Sequence, residues 1–306
     1  MHEGSRRAIV AALLANLGIA LAKFVAFAFT GAASLLAEAV HSVADTGNQA
    51  LLILGGARAR RAPTEQHPFG YGRERYFWAF VVALVLFSLG AVFAIAEGVE
   101  KLLHPHEIES PIWAVGVLAL AIVLETGSFL TARREANLVR GEQSWRSFIR
   151  HAKSPELPVV LLEDLGALAG LVLALAGIGL AFFTGEPRYD ALGSVAIGVL
   201  LGLIAVVLAV EMKSLLIGEA ATPADVAAIR AAIESAHHVA RVIHLRTLHL
   251  GPDELLVAAK LAIDPSLDFA AVASVIDETE RRMRAAVPAA RLIFLEPDVD
   301  RLARPV

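Results

Sequence analysis

Long apolar stretches are the feature that most restricts what this chain of 306 residues can fold into. A helix needs about 20 mainly apolar residues to cross the hydrocarbon core of a bilayer. The composition agrees, because 57% of the residues are hydrophobic and only 19% are charged. The sequence therefore predicts an α-helical polytopic protein, integral to a lipid bilayer, with six transmembrane helices. The six windows are Ala8–Phe29, Ser34–Ala57, Tyr76–Val99, Ile112–Ala132, Leu157–Phe183 and Tyr189–Val210.

Basic residues in the connecting loops predict the orientation of the chain. The loop Arg58–Arg75 holds five arginines, and Arg133–Glu156 holds five arginines and a lysine. The loops on the other side contribute only Lys101 and Arg188. Since loops rich in lysine and arginine stay in the cytoplasm, both termini are expected there. In a bacterium the membrane would be the inner, or plasma, membrane.

The sequence after residue 210 has the pattern of a small cytoplasmic domain. Its elements follow the order α-β-β-α-β, which is typical of a small α+β sandwich with helices on one face, here of ferredoxin-like type. We therefore predict a transmembrane domain over residues 1–215 and a cytoplasmic C-terminal domain over 216–306. The predicted elements are helix Ala224–Ser235, strands Val239–Leu250 and Glu254–Ile263, helix Phe269–Ala286 and strand Arg291–Leu295.

A polar stripe runs along the second apolar window. Its members are Glu38, His41, Asp45 and Asn48, whose spacing places them on one helix face at about 100° per residue. An ionised side chain at mid-bilayer costs about 2.5–3.5 kcal/mol, so such residues usually face a partner, water or an ion. An imidazole and a carboxylate one turn apart form half a site for a divalent metal. Because the chain has no cysteine, any metal site must use nitrogen and oxygen ligands.

Adjacent carboxylates in the fifth window form a second polar feature. Glu163 and Asp164 lie inside an apolar run and need cations or protons nearby. Neighbours on a helix point about 100° apart, so one faces the site directly. The other carboxylate orients the first, exchanges a proton or lies near the interface. An alternative without function is that Glu163, which follows Pro158 by little more than a turn, extends to water at the membrane surface. Four further acids are left outside the predicted site: Glu97, Glu100, Glu125 and Asp190.

Histidines outside the membrane windows are weaker candidates for metal binding. His67 begins a loop rich in glycine and aromatic residues, which we expect to form a rigid turn against the membrane surface. The four histidines of the C-terminal domain have spacings that allow chelation, although surface histidines are common. They are His237, His238, His244 and His249.

The motifs, taken in chain order, resemble those of the cation diffusion facilitator family, and most closely the zinc transporter 9 branch. The resemblance covers essentially the whole chain. It rests on the order and spacing of the motifs together. These are HSVAD at His41–Asp45 followed by Asn48-Gln49, HPFGYGRER at His67–Arg75, AEGVEKLLHP at Ala96–Pro105, LLED at Leu161–Asp164, YDALGS at Tyr189–Ser194 and FLEP at Phe294–Pro297.

The resemblance implies a homodimeric transporter, and neither an enzyme nor a cofactor-dependent protein. Such a protein exports a divalent metal, typically zinc, from the cytoplasm in exchange for protons. The family's ligand pair in the second span corresponds to His41 and Asp45, and its fifth-span aspartate to Asp164. The usual fourth ligand falls on Val160, which cannot bind metal, so Glu163, Asn48 or water must complete the shell.

The cytoplasmic domain also departs from the family's pattern. Histidines that family members often carry there fall on Ile243, Ala259 and Leu295. The regulatory metal cluster at the dimer interface is therefore expected to be absent or different, and His249 offers a substitute ligand.

Two other functions remain open from the residues. One is a proton-coupled organic-solute transporter that uses Glu163 and Asp164 as a relay. The other is a non-transporting, metal-sensing membrane scaffold that signals through the cytoplasmic domain.

A net charge of -4 indicates no nucleic-acid partner. The sequence has no His-Glu-x-x-His motif, which argues against an intramembrane metalloprotease.

Overall fold

The computed structural model describes the backbone of residues 3–105, 107–108 and 110–299, with side chains from residue 16 onward. The chain divides into two compact units. The first comprises Met1–Ala57 and Arg75–Lys213, and the second comprises Arg58–Glu74 and Ser214–Val306. The loop after the second apolar window therefore belongs with the C-terminal elements, which the sequence pattern did not indicate.

Long helices build the first unit, and each predicted apolar window falls on one of them. The predicted windows are shorter than the helices because a window measures apolarity, whereas a helix continues into polar turns. This difference is largest in α4, which extends beyond Ala132 to Arg140. The helices are α1 (Glu3–Thr30), α2 (Ala33–Ala59), α3 (Glu74–Leu103), α4 (Pro111–Arg140), α5 (Trp145–His151), α6 (Glu156–Thr184) and α7 (Arg188–Ile217).

Within the described residues, the helices α3, α4, α6 and α7 are long and apolar enough to cross a membrane. In the part of α1 whose side chains are described, the apolar stretch covers Asn16–Thr30. Helix α2 spans 27 residues, but because of its polar stripe and amide side chains no stretch of it is as apolar as the spans of those four helices. The protein is thus a helical membrane protein, and the count of six transmembrane helices stays a prediction.

Helices α3 and α7 pack with their backbones close together. A Cβ atom at Gly198 of α7 would lie 2.6 Å from Ile95 Cγ1 and 2.8 Å from the carbonyl oxygen of Ala91. One turn further on, a Cβ atom at Gly202 would have its nearest neighbour, Ala91 Cβ, at 3.4 Å. Small residues permit this approach, which is how helices gain van der Waals contact inside a membrane. Facing them, Leu86–Val92 of α3 is π-helical.

The N-terminus of α2 is held by a carboxylate from α7. Asp190 accepts hydrogen bonds from the backbone N–H of Ala33 at 2.8 Å and of Ser34 at 3.3 Å, and from the Ser34 hydroxyl. Lys101 of α3 pairs with the same carboxylate at 3.0 Å and donates to the carbonyl oxygen of Gly31 at 2.7 Å. The first N–H groups of a helix have no partner within the helix, and its dipole favours a negative charge there. Asp190 therefore fixes where α2 begins.

The second unit contains a three-stranded sheet among its described residues, in the order β1-β2-β3. Strand β1 (Val239–Gly251) is antiparallel to β2 (Glu254–Ile263), which is parallel to β3 (Ala290–Asp298). Helix α8 (Pro223–Glu234) precedes β1, and α9 (Phe269–Ala286) connects β2 to β3. The predicted α-β-β-α-β order is present, with ends shifted by a few residues at most, and the ferredoxin-like assignment stays a prediction.

Alternating side chains of β2 build the core of this unit. Val257, Ala259 and Leu261 are buried against Ile233 of α8 and Met283 of α9. Residues on a strand alternate between faces, so the positions between them lie on the opposite face of the sheet. There, Lys260 bridges the strands with Nζ at 2.8 Å from Glu296 and 3.1 Å from Asp298. The hydrogen bond to Glu296, and after it the one to Asp298, raises the pKa of Lys260.

The loop between α2 and α3 packs within the second unit. Thr64 and His67 exchange backbone hydrogen bonds of 3.2 and 3.1 Å, and Gly70 adopts a left-handed φ of 80°. A Cβ atom at Gly72 would lie 2.7 Å from the carbonyl oxygen of Leu250. The expected turn is present. It lies against the hairpin of β1 and β2. Its expected packing against the membrane surface stays a prediction, and His67 is exposed.

A pair of alanine substitutions tests the close packing of α3 on α7. Gly198→Ala should lower the free energy of unfolding by about 1–3 kcal/mol, because its Cβ atom meets backbone that cannot rotate away. The matched control, Gly202→Ala, should be neutral or stabilising by up to about 1 kcal/mol, through better helix propensity. Thermal unfolding in detergent measures both. Equal melting temperatures for the two variants would contradict this packing.

Candidate metal site

The polar stripe of α2 faces the interior of the first unit. His41 is completely buried, and the side chain of Asp45 is 15% exposed. Their Nε2 and Oδ2 atoms are 3.5 Å apart, a contact too long for a good hydrogen bond. Helical spacing alone brings them together, since residues four apart lie one above the other on the same face. The predicted imidazole–carboxylate pair is thus preformed in α2.

Helix α6 brings its two carboxylates to the same region. Asn48 of α2 donates from Nδ2 to Glu163 Oε1 at 2.6 Å, with both side chains buried. Asp164 accepts a hydrogen bond of 3.0 Å from the Ser128 hydroxyl of α4. These contacts bring polar side chains of α2, α4 and α6 together, over positions 115 and 36 residues apart in the chain. Such long-range pairs are decided by helix packing.

Several polar atoms along α2 are buried without a hydrogen-bond partner. They include both ring nitrogens of His41, Oδ1 of Asp45 and Oδ1 of Asn48. Buried polar groups in native structures are almost always satisfied, so a group of exceptions calls for an explanation such as an ion. Imidazole nitrogen with carboxylate and amide oxygen is a donor set that suits a borderline divalent ion.

The predicted ligands lie in two halves, one on each helix. Within the part of the chain that the structure describes, no three histidine, aspartate or glutamate side chains are grouped closely enough to hold a metal ion. His41 and Asp45 form one half on α2, and Glu163 and Asp164 the other on α6. Val160 lies half-buried one turn before Asp164 and presents only hydrocarbon. The ligand set of His41, Asp45, Asn48, Glu163 and Asp164 therefore stays a prediction.

Lys23 of α1 is a buried charge beside this region that the sequence reasoning missed. Its ammonium lies 3.1 Å from Glu38 Oε2 and donates to the Ser42 hydroxyl at 2.7 Å. All three side chains are buried. A lysine in the second half of the first apolar window is the signal in the sequence, because an ionisable residue within a membrane helix needs a partner.

Glu125 of α4 also lies nearer to the candidate ligands than the sequence suggested. A charge on Glu125 repels charges on Asp45 and Asp164 and is itself attracted by Lys23. From the sequence alone, a helix–helix hydrogen bond explains Glu125 as well as a place in a polar path does. Helix packing decides that it faces the polar region, and no local pattern in the sequence carries that information.

The histidines of the second unit do not gather into a site. His237, His238 and His244 are exposed, whereas His249 is buried in β1. His238 approaches Asp264 at 3.8 Å, and its ring lies 6.0 Å from that of His237. Within the described residues these histidines belong to no group of three that suits a metal ion.

Comparison with known proteins gives two matches that together cover most of the chain. Residues 9–217 match the family model of the cation efflux transmembrane domain, and residues 221–298 match that of the cation efflux protein, cytoplasmic domain. The chain is 34% identical over 265 residues to the mitochondrial proton-coupled zinc antiporter SLC30A9 of Xenopus laevis, covering 86% of this chain and 47% of that protein. It is 32% identical over 264 residues to the human protein of the same name, covering 86% and 46%.

A bacterial relative is similar over nearly its full length. The cation-efflux pump FieF of Shigella flexneri is 26% identical over 291 residues, which are 95% of this chain and 91% of that protein. By contrast, the chain spans about half the length of the SLC30A9 relatives.

A double-mutant cycle tests the hydrogen bond that joins the two halves. Asn48→Leu should cost about 1.5–3 kcal/mol of unfolding free energy, because it leaves the buried Glu163 carboxyl without a donor. Combined with Glu163→Leu, the second change should cost much less than in the wild-type background. Unfolding of the four proteins in detergent gives the coupling energy. Strict additivity would show that the two side chains do not interact.

Proposed function

Because the chain belongs to the cation efflux family, we propose that it exports a divalent metal cation across the membrane in exchange for protons. Members of this family are transporters and not enzymes. The observation that carries the proposal is the juxtaposition of α2 and α6. There, His41 and Asp45 keep buried atoms without partners while Asn48 binds Glu163 of the facing helix.

We propose zinc as the transported substrate. The SLC30A9 relatives are named proton-coupled zinc antiporters, and the residues of α2 and α6 offer nitrogen and oxygen donors that zinc accepts in four-coordinate sites. His41, Asp45 and Asp164 would bind the ion directly. Glu163, Asn48 or a water molecule would supply the fourth ligand in place of Val160.

Proton coupling follows from the chemistry of these ligands. Imidazole and carboxylate bind a metal ion only in their deprotonated forms, so metal binding releases protons. We propose that metal enters from the cytoplasm and binds as the ligands lose protons. The helices then rock so that the site faces the opposite side, where protons displace the metal.

The proposal extends to the assembly and its orientation. We propose six transmembrane helices over residues 1–215, both termini in the cytoplasm, and a ferredoxin-like cytoplasmic domain over residues 216–306. The loop charges support the orientation. The match of residues 221–298 to the cytoplasmic domain of cation efflux proteins supports a homodimer joined through that domain.

Substitution of the α2 ligands tests the proposed function. His41→Ala and Asp45→Ala should each reduce zinc-driven proton flux in proteoliposomes at least about tenfold, because each removes a direct ligand. The control Val43→Ala changes an exposed side chain of the same helix and should leave the flux unchanged. Size-exclusion chromatography establishes that each variant is folded.

Full flux in both ligand variants would refute the assignment. Failure of the wild-type protein to bind any divalent metal, together with solute-dependent proton uptake, would favour an organic-solute transporter. Metal-dependent capture of a partner without flux would favour a metal-sensing scaffold.

Restoring a ligand at Val160 tests the geometry of the site from the opposite direction. Val160→Asp places a carboxylate one turn before Asp164 and should tighten zinc binding about tenfold, with slower release and lower turnover. The control Val160→Leu keeps the position apolar. Isothermal titration calorimetry in detergent measures the affinity, and unchanged binding in Val160→Asp would show that this position does not face the ion.

A further inference from the structure

A buried ion pair connects α1 to α2 beside the proposed metal site. Lys23 Nζ is 3.1 Å from Glu38 Oε2 and 2.7 Å from Ser42 Oγ. The lysine and glutamate side chains are both 0% exposed. The ammonium is therefore a resident cation inside the first unit, held by one carboxylate and one hydroxyl.

Stability alone is a weak reason for this pair. Desolvation of two charges offsets most of their attraction, and apolar residues of similar volume often replace a buried pair at no cost. Ionisable residues within membrane helices more often mark the path of an ion. The role of Lys23 and Glu38 must therefore be inferred from where they lie in the first unit.

Their position is next to the proposed ligands, toward the start of α2. Glu38 precedes His41 by one turn, and Ser42 follows His41 directly. The charge of Lys23 acts on His41, Asp45 and also Glu125. In the proposed orientation the start of α2 lies away from the cytoplasm. The ion pair then lies between the metal site and the side on which metal is released.

Glu38 has one oxygen engaged and one without a partner. Oε2 pairs with Lys23, whereas Oε1 is buried and accepts no hydrogen bond. Oε1 faces Gly170 of α6 so closely that a Cβ atom there would overlap it. The carboxylate thus lies where α1, α2 and α6 meet, and its free oxygen can bind a cation.

We propose that Glu38 is a second cation-binding position on the exit side of the metal site, and that Lys23 is a tethered cation which competes with the divalent metal for it. Metal that leaves His41 and Asp45 binds Glu38 while the ammonium stays on Ser42. The ammonium then returns to Glu38 and displaces the metal. This inference rests on the proposed function.

The competition has a physical reason. Carboxylates of other helices act on Asp45: charges on Glu125, Glu163 and Asp164 repel a charge there, whereas the Lys23 ammonium attracts it. A divalent ion surrounded by these charges would leave slowly. A positive charge nearby repels the metal cation, so it weakens the binding of the metal and speeds its release.

Removal of the ammonium tests the proposal. Lys23→Met keeps a long apolar side chain and should tighten equilibrium zinc binding about tenfold, the effect of one nearby unit charge, while the maximal flux falls by a similar factor. The control Lys23→Arg keeps the charge and should stay near wild-type affinity. Calorimetry with zinc in detergent gives the affinity, and flux in proteoliposomes gives the maximal rate and KM.

A double variant separates the proposed role from simple tethering of α1 to α2. Lys23→Met with Glu38→Gln removes both charges, so no unpaired charge stays buried, and it carries the test if Lys23→Met does not fold. Its zinc affinity should return to within about threefold of wild type, while the maximal flux stays low because the second position is lost. Wild-type flux in the double variant would overturn the proposal.

Two outcomes distinguish this inference from the proposed function. If wild-type protein transports zinc, His41→Ala does not, and Lys23→Met matches wild type in affinity and flux, only the competition between Lys23 and metal is refuted. If the wild-type protein neither binds nor transports zinc, the proposed function fails, and this inference fails with it.

Discussion

Burial of ionisable side chains in a low-dielectric interior is the constraint on which the structure of the first unit depends. An ion or amide that leaves water must find partners, and a membrane helix can find them only on its neighbours. Among the described residues, helix α2 carries more of these buried groups than any other helix. Their partners come from other helices: Lys23 of α1 for Glu38, Glu163 of α6 for Asn48, and Asp190 of α7 for the first turn. The packing around α2 follows from these requirements.

The same contacts hold α2 on both sides of its imidazole–carboxylate pair. Asp190 fixes the N-terminal turn, and the bond from Asn48 to Glu163 fixes the helix a little beyond the pair. His41 and Asp45 lie between these points and retain unpartnered atoms. These contacts lock the helix that carries this half of the proposed site, while the ligand atoms of the half stay available to an ion.

Elements and candidate ligands were accessible from the sequence because both have local signals. Periodic or continuous apolarity marks a helix, and turn residues mark the hairpin of β1 and β2, so the predicted Glu254–Ile263 and Phe269–Ala286 match the observed elements. Lys23 and Glu125 were underestimated for a different reason. A single charge in an apolar window signals that a partner exists, but it does not say which helix supplies the partner.

The sequence by itself determined that the chain builds membrane helices followed by a small α+β domain, and that His41 and Asp45 share one face of a helix. Those properties depend on residues within a few positions of one another, where helix and strand geometry is fixed. Only the tertiary structure decided that Asn48 meets Glu163, that Lys23 pairs with Glu38, and that Asp190 caps a helix 156 residues earlier in the chain. Those contacts depend on which helices pack together, and packing is a property of the whole unit.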